Sequence, residues 1–150
     1  YIGTPTTVGS VVYATEQLAW AMIDALSNHP ASYYQQIWDA SHLPKTDRYI
    51  PVGYHTNMDL WYFADDLTTC IGLGDYYLAI RDAASQVVAA VSNAAFYEVH
   101  STGHARSKGI AIYFPETSAQ YDDFYTTAGL DLPADTMWDE FVSTFFWAEP

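Results

Sequence analysis

Apolar residues recur along most of this chain with the 3.6-residue period of amphipathic helices, and that rhythm breaks clearly at one place. Val11, Ala14, Leu18, Ala21, Met22 and Ala25 fall on one face, which predicts a helix over residues 11–27. His29-Pro30 stops it and opens the next, because proline suits a first helical turn. Tyr33, Tyr34, Ile37 and Trp38 mark that second helix, and residues 44–53 read as a loop bounded by Pro44 and Gly53. Asn57 offers an N-cap, Asp59 favours the positive end of a helix dipole, and Leu60, Phe63, Ala64, Leu67 and Ile71 form the cleanest stripe in the sequence. After Gly72 and Gly74 a long helix is predicted from near Asp75, carrying Tyr77, Ile80, Ala84, Val87, Val91 and Ala94 along one side.

The break is Lys108-Gly109-Ile110-Ala111-Ile112-Tyr113-Phe114-Pro115. A glycine, a run of β-branched and aromatic residues and a closing proline predict one strand buried between helices. Gly109 is expected to let neighbouring backbone come close, and Pro115 to end the ladder because it has no N–H to donate. Side chains alternate, so Ile110, Ile112 and Phe114 should share one face and Ala111 and Tyr113 the other, both faces lying under helices. Residues 101–107 are polar and predict a loop feeding this strand. Tyr121-Asp122-Asp123-Phe124-Tyr125 reads as a helical turn, and residues 132–141 as the start of a last helix. Tyr1-Ile2-Gly3-Thr4-Pro5 reads as the tail of a strand, and with no initiator Met it predicts a processed chain with more sheet before it.

Composition narrows the picture. The 150 residues, half of them apolar, fit a single domain spanning 1–150. A net charge of -13 repels phosphate backbones and anionic lipid, so neither nucleic acid nor a membrane surface is the expected partner. No apolar run is long enough to span a bilayer, and membrane insertion is not expected. The single cysteine, Cys70, permits no internal disulfide and leaves the redox compartment open. Aromatic residues make up 17%, more than one small core needs, so some should lie on a contact surface. Trp61 and Tyr62, off the Leu60 stripe, and Trp147, near the end of the chain, are the candidates.

Three motifs carry a family resemblance. Gly109-Ile110-Ala111-Ile112-Tyr113-Phe114-Pro115 resembles the Gly-x-Ser-Ile-Tyr-Phe-Pro strand of clostripain-like cysteine peptidases. Asp59-Leu60-Trp61-Tyr62-Phe63-Ala64 is similar to the Asp-Leu-aromatic-x-Phe-Ala segment that precedes that strand in the family, and Thr136, Trp138 and Phe141 match its later Thr-x-Trp-x-x-Phe helix. The resemblance spans nearly the whole chain and covers only the family's C-terminal half. It implies an α/β fold, with helices flanking a small sheet, as the C-terminal part of a caspase-like αβα sandwich. It also implies a secreted or cell-surface location and a partner chain, an N-terminal peptidase fragment that brings the catalytic His and Cys. No residue here inherits either role. The alternative reading is a self-assembling structural subunit, filament or oligomer, that binds copies of itself; a carbohydrate-binding module rests on aromatic composition alone.

Residue chemistry adds little to this. Cys70 flanks an apolar stripe and reads as a small core hydrophobe rather than a nucleophile. His100 and His104 have i, i+4 spacing, but Gly103 intervenes and a solvated loop is expected. Some clostripain-like peptidases use calcium, and Asp65-Asp66 and Asp122-Asp123 with Asp131 are the acidic groups to consider. None has the spacing of a calcium loop, and no cofactor is expected. Family members prefer substrates with basic side chains, whereas residues 1–15 supply no Asp or Glu for such a pocket.

Overall fold

The computed structural model describes residues 5–43, 48–49, 57–94, 108–122, 125 and 136–150. The chain is mixed α/β and mostly helical. Helices α1 (Pro5–Asn28) and α2 (Pro30–His42) come first, followed by strands β1 (Arg48–Tyr49) and β2 (Asn57–Asp59). Helices α3 (Leu60–Cys70) and α4 (Tyr77–Ala94), strand β3 (Ala111–Tyr113), a 3-10 turn at Ser118–Gln120 and helix α5 (Trp138–Trp147) complete the order. The expected strand tail at residues 1–4, the loop at 101–107 and the helix start at 132–135 lie outside the described residues.

Helix-on-helix packing dominates. Helix α1 lies against α4, α5 and α2, while α3 lies against α4 and α2. The stripes that predict these helices are the faces they bury: Leu18, Met22 and Ala25 from α1, Phe63, Ala64 and Leu67 from α3, and Ile80, Ala84, Val87 and Val91 from α4 all enter one core. The many alanines among them let the helix axes approach closely. Helix α1 starts at Pro5, earlier than predicted, and α5 starts at Trp138, later than predicted.

Two α2 side chains hold the turn between α3 and α4. Gln36 Oε1 accepts from the backbone N–H groups of Gly72 and Leu73 at 3.0 and 3.2 Å, and its Nε2 donates to the Leu73 carbonyl at 3.3 Å. Tyr33 Oη accepts from Tyr76 N at 2.7 Å. Gly74 has φ +96°, and a Cβ there would run into the Tyr33 hydroxyl, so conformation and space both require glycine.

The sheet is small and antiparallel, in the order β1-β2-β3. Its register sets Asn57 opposite Tyr113, Met58 opposite Ile112 and Asp59 opposite Ala111. Here the structure corrects the expectation that both faces of this strand lie buried. Among the described residues β3 is the edge of the sheet, buried on one face only: Ile112 is 1% exposed, whereas Ala111 is exposed and Tyr113 half-buried. Gly109 is also corrected. Nothing lies within 4 Å of where its Cβ would be, and its φ of +82° is what selects glycine. The predicted N-cap shifts as well: Asn57 opens β2, and Asp59 caps α3, accepting from Tyr62 N at 3.0 Å.

Candidate functional site

The three motifs meet at one end of the molecule. Phe63 of α3, Phe114 beyond β3 and Trp138 of α5 form a ring cluster, with centroids 5.5 Å apart for Phe63–Phe114, 6.1 Å for Phe63–Trp138 and 6.4 Å for Phe114–Trp138. Phe141 closes it, 5.4 Å from Phe114 and 4.9 Å from Trp138. Edge-to-face and tilted contacts of this kind add to area burial because ring edges are positive and faces negative. A polar bond ties the cluster to the sheet: Trp138 Nε1 donates to the Tyr113 carbonyl at 2.7 Å. Asp59 closes the opposite side. One carboxylate oxygen caps α3, the other accepts from Lys108 N at 2.6 Å, and Leu60 N donates to the Ile110 carbonyl at 2.9 Å. Strand β3 is thus anchored through Asp59 and Trp138, with Ala111 exposed between them.

Beside this edge, Tyr113 stacks on Tyr125 at 4.2 Å, and its hydroxyl accepts from Asp122 N at 2.9 Å. Burial, and then the Asp139 carboxylate, push the Tyr125 phenol far above its usual range. Asp139 holds the Glu140 carboxyl above the usual carboxylate range by sharing a hydrogen bond with it, with burial adding to the effect. Two further groups resemble catalytic pairs. Ser41 Oγ lies 2.8 Å from His42 Nδ1, but Ser41 is buried and donates to the Trp38 carbonyl, and the His42 ring stacks on Trp38 at 3.9 Å. This pair ties off the end of α2 and offers no accessible nucleophile. Cys70 is half-buried against the core at the end of α3.

The candidate contact residues do not form one patch. Tyr62 is 7% exposed. Trp61 is half-buried, its Nε1 donating to Ser92 Oγ on α4 at 2.9 Å and its ring lying 5.7 Å below Lys108 Nζ. Only Trp147, at 87%, stands out in solvent. Asp65 and Asp66 sit on α3 and Asp122 follows the 3-10 turn; His55, His100, His104, Asp123 and Asp131 lie outside the described residues. Among the described residues no cluster of three or more His, Cys, Asp or Glu is placed to hold a metal, and no helix is long and apolar enough to cross a membrane.

A second feature escaped sequence reasoning. Side chains of α1 and α4, Ala21 and Ala83 among them, line an open groove of about 700 Å³. Tyr13, Gln17, Trp20 and Asp24 wall it from α1; Asp82 and Gln86 wall it from α4. The first four recur at i, i+4, i+7 and i+11, so a second helical stripe beside the core stripe was the signal. Comparison with protein-family models, with curated proteins and with solved structures finds no match for this chain.

Proposed function

We propose that this chain is the non-catalytic C-terminal portion of a secreted clostripain-like cysteine endopeptidase, completing its fold against a second chain that supplies the catalytic His and Cys. The observation that carries the reading is the meeting of the three family-like motifs. Phe63, Phe114 and Trp138 come from segments far apart in sequence, yet they share one aromatic cluster at the foot of β3. In this reading the partner packs against the side of the sheet where Ala111 is exposed. The small antiparallel sheet then becomes one margin of a caspase-like αβα sandwich.

A second reading, a self-assembling subunit without an active site, is favoured by one observation. Large apolar side chains stand exposed at Tyr13, Trp20, Trp38 and Trp147, and copies of the chain burying them against each other would need no foreign partner. Intact mass of the natively purified material separates the two: a second, co-purifying chain supports the first, a homopolymer the second. The isolated chain should show no turnover of Arg, Lys or small-residue peptides, with or without calcium. Turnover abolished by Cys70→Ala would refute the non-catalytic assignment.

A further inference from the structure

The geometry points to the groove between α1 and α4 as a binding site for an organic ammonium group on a flexible alkyl chain, the chemistry of polyamines and of lysine side chains. This goes beyond the proposed peptidase kinship and does not depend on it. Four features of the groove select that ligand. Trp20 and Tyr13 are 49% and 60% exposed on the same helix wall, and aromatic faces attract cations, Trp most strongly. Asp24 and Asp82 supply a carboxylate from each wall, and among the described residues no Lys or Arg lines the groove. Asp24 Oδ1 accepts from Asn28 Nδ2 at 3.0 Å, a bond that fixes where the carboxylate sits. The net charge of -13 adds a long-range field that concentrates cations around the whole molecule.

The groove also has the right shape. Trp20 lies seven residues after Tyr13 on α1, a rise of about 10 Å along the helix, so the two rings suit an extended chain rather than a compact ion. Ala21 and Ala83 keep the floor shallow and apolar, where methylene groups between ammonium centres would lie. Gln17 has an amide that can accept from a bound N–H. The groove is open to solvent, so screening keeps each contact modest and binding should weaken as salt rises.

Calorimetric titration of the full chain with spermidine, with a lysine-rich peptide and with a neutral oligosaccharide tests this. Saturable binding of spermidine identifies free polyamines as sufficient, and binding of the peptide alone identifies lysine side chains as the source; either supports the site. Trp20→Ala should weaken binding about fivefold or more, and Trp20→Phe, which keeps a ring, should weaken it less. Asp82→Asn should weaken it and flatten its salt dependence. No saturable binding of either cation overturns the proposal. So does binding that Trp20→Ala leaves unchanged, which would mark general surface charge, or preferential uptake of the neutral oligosaccharide.

Discussion

Trp138→Ala should lower the unfolding free energy by about 3–5 kcal/mol, the cost of truncating a large aromatic in a packed core. Trp138 is fully buried and packs against Phe63, Phe114 and Phe141, so its loss removes the centre of the cluster that joins α3, β3 and α5. It also deprives the Tyr113 carbonyl of the indole N–H that meets it. Trp138→Phe separates the two effects. Most of the ring packing survives, the carbonyl still loses its donor, and the expected loss falls to roughly 1–3 kcal/mol. Urea unfolding at an unchanged slope measures both. A Trp138→Ala loss within about 0.5 kcal/mol, the size of a typical surface change, would mean that the three motifs do not share a core.

Asp59→Ala should cost about 2–4 kcal/mol, more than an ordinary cap, because one buried carboxylate serves two elements. Its Oδ1 caps α3 and its Oδ2 receives the Lys108 N–H that leads into β3. Asp59→Asn should fall in between. Asparagine caps a helix as well as aspartate does, but its amide can present only one oxygen, so one of the two backbone donors loses its acceptor. Hydrogen exchange at Lys108 should accelerate in both variants. Unchanged exchange there with lost stability would confine Asp59 to the cap.

The helices were legible in the sequence because their determinants are local. Leu60, Phe63, Ala64, Leu67 and Ile71 state the face of α3 in the sequence, and all of them are buried. His29-Pro30 marks the α1–α2 boundary because proline acts on its own turn. The sheet was less legible. Strand β2 is only three residues and runs straight into α3, too short to show alternation, which is why Asn57 was read as the cap that Asp59 is. Nothing in Gly109 to Pro115 says which strand it pairs with, so its pairing with β2 depended on residues about 50 positions earlier.

The candidate contact surface was legible only in part. Trp61 and Tyr62 lie off the Leu60 stripe by spacing, yet Tyr62 is buried and Trp61 is held by Ser92 on another helix. The groove aromatics Tyr13 and Trp20 sit in a helix whose core stripe draws attention first. Helical spacing gives the face a residue occupies; whether a second helix leaves that face open is a tertiary matter.

We propose that another chain completes this fold. Light scattering across a range of concentration and salt tests it most directly. With Ala111 exposed beside β2 and Trp38 and Trp147 exposed on the helices, the purified chain should associate at micromolar concentration. Association should strengthen as salt screens the net charge of -13. A monodisperse, cooperatively melting monomer of 16.8 kDa at every concentration and salt would contradict the account.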